Sequence, residues 1–211
     1  MTNMDATVYV VDDHPDVGMI ITLILRSIGI SCKVFENASS FMESYRHEWS
    51  GCILLDVRMP EISGLEIQEM LNTRNNKMPV IFITGHADVP MAIRAMKQGA
   101  FDFIEKPFNN QYLLECIQKA LRKNAETQQR KKALRHIQAR FERLTRRERE
   151  VLDKIILGNL NKSIADQLGI SIKTVEKHRA NVMGKMSAAS VPELIQMIQN
   201  LTQHGATPKN D

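Results

Sequence analysis

Five polar residues in the first half of the chain come at or just after the ends of short apolar runs. They are Asp12 and Asp13 after ATVYVV, Asp56 after CILL, Thr84 at the end of VIFIT, and Lys106 after FDFIE. Carboxylates that lie close together repel one another unless a cation lies among them, and an all-oxygen ligand set suits Mg²⁺. If the fold brings these ends together, the residue types predict a site for Mg²⁺ (or Mn²⁺).

The sequence alternates short apolar runs with amphipathic segments, and these are the elements that must position the five polar residues. The apolar runs predict strands at residues 6–11, 32–35, 52–55, 80–84 and 101–104. Apolar residues at three- and four-residue steps predict helices at 17–28, 39–45, 64–75, 89–98 and from 110 onward. This alternation predicts a doubly wound α/β domain with a five-stranded parallel sheet. Ligands bind at the carboxyl ends of such strands, where the five polar residues would meet.

The motifs VVDDH, LLDVRMPEISG, FITGHAD and FIEKPF make residues 6–122 resemble the receiver domain of two-component response regulators, most closely the FixJ branch of the FixJ/NarL family. The resemblance implies a flavodoxin-like fold in which Asp56 accepts a phosphoryl group from a histidine kinase, forming an acyl phosphate. It also implies the metal ligands, which are Asp12, Asp13, Asp56 and the backbone carbonyl of Arg58.

The same resemblance assigns roles to three further residues. Lys106 would neutralise charge on the phosphoryl oxygens, next to a cis peptide bond at Pro107. Thr84 would bind a phosphoryl oxygen and shift toward it. Phe103 stands at the position of the switch aromatic that turns inward with Thr84, and a plain strand aromatic is the alternative reading. We expect His14 to be a surface histidine, and contact with an incoming partner is the alternative reading.

The charge differs strongly between the two halves of the chain. Residues 1–120 carry 10 Lys and Arg against 15 Asp and Glu, a net charge of −5, whereas residues 121–211 carry 18 against 9, a net charge of +9. Such asymmetry predicts cations as partners of the first half and a polyanion as partner of the second.

The C-terminal half resembles a LuxR-type helix-turn-helix domain through LTRREREVL, NKSIADQLGIS and TVEKHRANVMGKM. We predict a receiver at 1–122, a helical linker at 123–143, an all-α domain of four helices at 144–203 and a disordered tail at 204–211. Thr145 and Glu148 form the pattern of a capping box that opens the first of these helices. Sparse apolar residues in the linker leave open whether it packs against another helix or is solvated.

The resemblance places a recognition helix in the DNA major groove, beginning after the cap residue Ser171. Val175, Val182 and Met186 fall on its apolar face. The predicted groove contacts lie on the opposite side: Lys173, Thr174, Glu176, Lys177 and Asn181. Glu176 would accept a hydrogen bond from cytosine or form a salt bridge to Arg179 or Arg147, and both readings stay open.

These features favour a phosphorylation-dependent transcriptional regulator rather than a turnover enzyme. We expect a histidine kinase, double-stranded promoter DNA and RNA polymerase as partners, and a homodimer on phosphorylation. No secretory signal and no long apolar run are present, so we expect a cytoplasmic protein without membrane contact. An aspartyl-phosphate phosphatase would need a second acid where Arg58 stands, and a pure relay module would not need the helix-turn-helix segment.

Overall fold

The computed structural model describes residues 6–85 and 89–203. The chain divides into two compact units, Met1–Gln129 and Arg130–Asp211. The tail at 204–211, predicted to be disordered, lies outside the described residues. None of the helices within the described ranges is both long enough and apolar enough to span a membrane.

The first unit contains a parallel sheet with the strand order β2-β1-β3-β4-β5. Its strands are β1 Thr7–Val11, β2 Ser31–Phe35, β3 Gly51–Asp56, β4 Val80–Thr84 and β5 Asp102–Glu105. The helices between and after them are α1 Pro15–Ser27, α2 Ala38–Ser44, α3 Gly64–Thr73, α4 Val89–Lys97 and α5 Asn110–Glu142. The predicted doubly wound fold is therefore confirmed.

The core lies on both faces of the sheet. On one face Phe41, Ile53 and Phe82 are fully buried together with residues of α3, and on the other face Leu54 and Ile81 pack with α1 and α5. Every residue of β3 and β4 is buried, which explains why these strands are apolar up to the polar residues Asp56 and Thr84 at their ends. The strand β2 lies at the sheet edge and exposes most of its residues.

The helix α5 is 33 residues long and continues without a break through the segment predicted to be a linker. Its first turns pack in the core of the first unit through Leu113 and Ile117. Asn124 is buried and accepts a hydrogen bond from the backbone N–H of Gly51 at 3.0 Å. In its last turns Phe141 is buried in the core of the second unit. The end of the predicted linker is thus a packed helix rather than a solvated one.

The second unit surrounds its own apolar core with helices α6 Arg146–Ile156, α7 Asn161–Leu168, α8 Ile172–Met186 and α9 Val191–Gln203. The predicted capping box is present, because the Thr145 side chain accepts from the backbone of Glu148 and the Glu148 side chain accepts from the backbone of Thr145. Gly169 ends α7 in the left-handed conformation with φ 64° and allows the tight turn into α8.

Candidate functional site

The carboxyl ends of the central strands bring the predicted polar residues to one edge of the sheet. Asp12 follows β1, Asp56 is the last residue of β3, and Thr84 is the last residue of β4. All three are buried, with exposed fractions of 1%, 4% and 1%. Two buried carboxylates at one edge require a cationic partner, because an unpaired buried charge is strongly unfavourable.

Lys106 supplies that positive charge from the loop after β5. Its Nζ lies 2.6 Å from Oδ2 of Asp12 and 3.3 Å from Oδ1 of Asp56. The peptide bond between Lys106 and Pro107 is cis, as predicted. Lys106 therefore touches both buried carboxylates, although it lies 50 residues or more from each of them in sequence.

The ammonium group does not fully balance the carboxylates around it. Burial raises the pKa of Asp56, the Lys106 ammonium lowers it, and the neighbouring charges of Asp12 and Asp13 raise it again, so that the pKa lies above its ordinary value. A further cation in the pocket would offset the repulsion among the carboxylates and keep Asp56 ionised. The electrostatics of the pocket thus favour a bound metal ion.

The donor set fits a divalent metal. Ligand atoms of Asp12, Asp13, His14 and Asp56 all lie within 4.8 Å of one another. Carboxylate oxygens are the ligands that Mg²⁺ and Mn²⁺ prefer. Three of these four residues, Asp12, Asp13 and Asp56, are the carboxylates that the sequence predicted as metal ligands.

A cavity of about 250 Å³ opens beside these carboxylates. Its walls are formed by His14, Val17, Asp56, Arg58, Thr84, Gly85 and Lys106. The cavity is large enough to admit small polar groups and water to the carboxylates. The role of the Arg58 carbonyl as a ligand stays a prediction.

Phe103 is not among the residues that line this cavity. The residue belongs to β5, is half-buried and packs against the core, with its ring centroid 6.3 Å from that of Phe82. The structure therefore brings together the predicted acceptor, metal and phosphoryl-binding residues, and places the predicted switch aromatic on the neighbouring strand. Its role in switching stays a prediction.

A second candidate site lies on helix α8. Val175, Val182 and Met186 are fully buried and anchor this helix in the core, as predicted. The Ser171 side chain caps it by accepting from the backbone N–H of Thr174 at 3.1 Å. The helix is thus held with its polar side outward, which is the arrangement that a recognition helix needs.

The residues predicted to contact DNA differ in their solvent exposure. Lys173, Glu176, Lys177 and Asn181 are exposed. Thr174 is half-buried, and its hydroxyl lies 2.8 Å from that of Ser171 within the helix cap. In the part of the chain that the structure describes, Glu176 forms no salt bridge with Arg147 or Arg179, and Arg147 pairs with Glu150 instead.

Sequence reasoning missed a buried ion pair that supports α8. The exposed fraction of the Glu148 side chain is only 3%, and its Oε2 lies 2.6 Å from Nζ of Lys185. Burial would raise the pKa of Glu148, but hydrogen bonds from Lys185 and Thr145 outweigh burial and hold the pKa below its ordinary value. The capping pattern indicated Glu148 alone, because its partner lies 37 residues away.

Comparison with known proteins gives matches along most of the chain. A model of the response regulator receiver domain matches residues 8–118, and a model of the LuxR family of bacterial regulatory proteins matches residues 142–198. The response regulator protein TmoT of Ectopseudomonas mendocina is 39% identical over 201 residues, which cover 95% of this chain and 91% of that protein. The transcriptional regulatory protein FixJ of Azorhizobium caulinodans is 44% identical over 190 residues, or 90% of each chain. The solved structure of the response regulator StyR is 42% identical and has a TM-score of 0.85, covering 92% of this chain and 98% of that one.

Proposed function

The chain belongs to the response regulators that carry a LuxR-type DNA-binding domain, and from this we propose that phosphorylation of Asp56 controls its binding to promoter DNA. The expected resemblance to FixJ is confirmed, and similar proteins are transcriptional regulators. The observation that carries the proposal is the position of Asp56. Its carboxylate is buried at the carboxyl end of a central strand, in contact with Lys106 and beside an open cavity.

Phosphoryl transfer at this site would proceed by attack of an Asp56 carboxylate oxygen on the phosphorus of a phosphohistidine of the kinase. The phosphorus–nitrogen bond breaks as the acyl phosphate forms, and the imidazole of the kinase leaves. Asp12, Asp13 and Asp56 would hold Mg²⁺, with the Arg58 carbonyl, and the ion would supply charge neutralisation. Lys106 already lies 3.3 Å from Asp56 and is positioned to bind a phosphoryl oxygen.

Signalling from the pocket would begin at Thr84, which lines the cavity at the end of β4. We propose that its hydroxyl binds the new phosphoryl group and that the half-buried Phe103 on the adjacent strand turns inward. Val89, Ile93 and Met96 are exposed on α4, and Tyr112 is exposed on α5. These exposed apolar side chains support the proposal that phosphorylated receivers form a homodimer.

DNA binding would use the exposed side of α8. The positively charged Lys173 and Lys177 suit phosphates and guanine edges, and Asn181 suits adenine. The half-buried Thr174 contributes to the helix cap, so we propose that its role is to fix the start of α8 in the groove. A bound dimer that contacts RNA polymerase would act as an activator, which transcription from a target promoter in a purified system can test.

The experiment that tests this function combines labelling with DNA binding. Wild-type protein is treated with a small phosphodonor and Mg²⁺, and the modified residue is identified by mass spectrometry. We expect at most one phosphoryl group per chain, on Asp56, and tighter DNA binding after modification. The variant Asp56→Asn should lose both effects, whereas Asp16→Asn makes the same charge change at an exposed position of α1 and should retain both. Labelling that persists in Asp56→Asn would contradict the assignment.

A further inference from the structure

The imidazole of His14 lies against the acidic pocket. Its Nδ1 is 3.1 Å from Oδ1 of Asp13 and 3.4 Å from Oδ1 of Asp12. His14 is also one of the residues that line the cavity beside Asp56. A nitrogen donor therefore stands at the mouth of a site whose other side-chain donors are carboxylate oxygens.

The backbone of His14 holds the side chain in this position. Pro15 follows and disfavours helical dihedral angles for the preceding residue, and His14 has the extended values φ −98° and ψ 106°. Its backbone N–H donates to Oδ1 of Asp12 at 3.0 Å. Although His14 is the N-cap residue of α1, its side chain forms no capping hydrogen bond. The ring is thus not engaged in helix capping.

The distances match those between neighbouring ligands of one metal ion. Two ligands at 90° to each other, each about 2.1 Å from an octahedral ion, lie about 3.0 Å apart. The separations from Nδ1 of His14 to the oxygens of Asp13 and Asp12 are close to this value. A small movement of the exposed ring would complete the geometry, because 67% of the side-chain surface of His14 is exposed.

We propose that His14 is a metal-selectivity residue, which adds a nitrogen ligand to the acidic pocket when a first-row transition ion binds there. The inference rests on the proposed function, since it uses the same metal site. Imidazole is a good ligand for ions such as Co²⁺, Ni²⁺ and Zn²⁺, whereas Mg²⁺ prefers oxygen and retains water. His14 would therefore strengthen the binding of the transition ions and leave that of Mg²⁺ almost unchanged.

The test measures the affinities of the full-length chain, without an affinity tag, for Co²⁺ and for Mg²⁺. Titration calorimetry gives both dissociation constants, and the visible absorption of Co²⁺ reports nitrogen ligation directly. The variant His14→Gln keeps a polar side chain but removes the imidazole. His136→Gln makes the same change on the exposed surface of α5 and serves as the matched control. Asp13→Asn removes a carboxylate ligand from the pocket, so the affinity that this variant loses is assigned to binding in the pocket.

We expect His14→Gln to weaken Co²⁺ binding by about tenfold or more and to change Mg²⁺ binding by less than about twofold. His136→Gln should change neither, and Asp13→Asn should weaken both. If His14→Gln leaves the affinity for Co²⁺ and its absorption unchanged, the ring only forms a hydrogen bond to Asp13 and the inference is wrong, while the proposed function stands. If the wild-type chain binds neither ion in the pocket, the metal site of the proposed function fails as well.

Discussion

Removal of the Lys185 ammonium should destabilise the second unit and leave the first unit unchanged. Lys185 lies in the last turn of α8, and its Nζ contacts the buried carboxylate of Glu148 at 2.6 Å. The substitution Lys185→Met preserves most of the apolar length of the side chain but leaves Glu148 without its cation. The carboxylate then retains only the hydrogen bonds that belong to the capping box with Thr145.

The size of the effect follows from the burial of the two partners. Breaking a fully buried ion pair costs about 3–5 kcal/mol, and a hydrogen bond to a charged group contributes about 1.5–3 kcal/mol. The side chain of Lys185 is 33% exposed, so solvent screens its charge, and the range for a hydrogen bond to a charged group applies rather than that for a fully buried ion pair. We therefore expect a loss of about 2 kcal/mol in the free energy of unfolding of this unit, or a fall of roughly 8–16 °C in its melting temperature.

Two optical signals separate the units. The only tryptophan, Trp49, stacks on Tyr9 in the first unit, so its fluorescence reports the unfolding of that unit. Circular dichroism reports the helices of both units, and the second unit is built largely of helices. In Lys185→Met part of the helical signal should be lost at a lower temperature than in the wild type, while the transition seen by Trp49 stays in place.

A double-mutant cycle with Glu148→Gln isolates the interaction between the two side chains. Lys185→Met should cost much less in the Glu148→Gln background than in the wild type, because no buried carboxylate is then left unpaired. An equal loss in both backgrounds, or a loss below about 0.5 kcal/mol in the wild type, would show that the pair does not stabilise the unit.

The same pair predicts a dependence on pH. The folded-state pKa of Glu148 lies below the ordinary value of 4.5. A carboxyl group with a lowered folded-state pKa contributes stability that is complete above its unfolded pKa and is lost as the pH falls through its folded pKa. The difference between the wild type and Lys185→Met should therefore be complete at neutral pH and disappear in acid well below pH 4.5.

Three further predictions concern the first unit, the metal and the DNA. Gly51→Ala should destabilise the first unit by about 3 kcal/mol or more, because an added Cβ would lie 1.8 Å from the Thr7 carbonyl oxygen. The control Gly99→Ala adds backbone strain at φ 90° without a clash and should cost about 1–2 kcal/mol. Tryptophan fluorescence measures the unfolding of the first unit in both variants. Mg²⁺ at a hundred times its dissociation constant should stabilise the same unit by about 2.7 kcal/mol, and a chelator or Asp13→Asn should remove this gain. Lys177→Ala should reduce the slope of log affinity for DNA against log salt by about 1, and an unchanged slope would show that Lys177 contacts no phosphate.

Local sequence patterns were sufficient for the elements and for most of the pocket. The strand ends that carry Asp12, Asp56 and Thr84 were predictable because buried parallel strands are continuous apolar runs, and parallel strands place their carboxyl ends at one edge. The capping box of Thr145 and Glu148 was predictable because both partners lie within one turn.

Features that depend on distant residues or on three-dimensional burial could not be predicted in this way. Lys185 carries no local signal that identifies Glu148 as its partner. The apolar residues of 134–144, at three- and four-residue steps, fitted both a packed and a solvated helix, and the burial of Phe141 and Leu144 in the folded structure favours the packed one. His14 was predicted to be a surface histidine and is 67% exposed, but its distances to Asp12 and Asp13 are visible only in the folded structure.

We propose above all that phosphorylation of Asp56 controls the binding of α8 to DNA. The most direct measurement is a titration of genomic promoter fragments with the full chain, before and after treatment with a phosphodonor and Mg²⁺, at two salt concentrations. We expect tighter sequence-specific binding after treatment in the wild type and no change in Asp56→Asn. Equal binding by treated and untreated wild-type protein would contradict the proposed control.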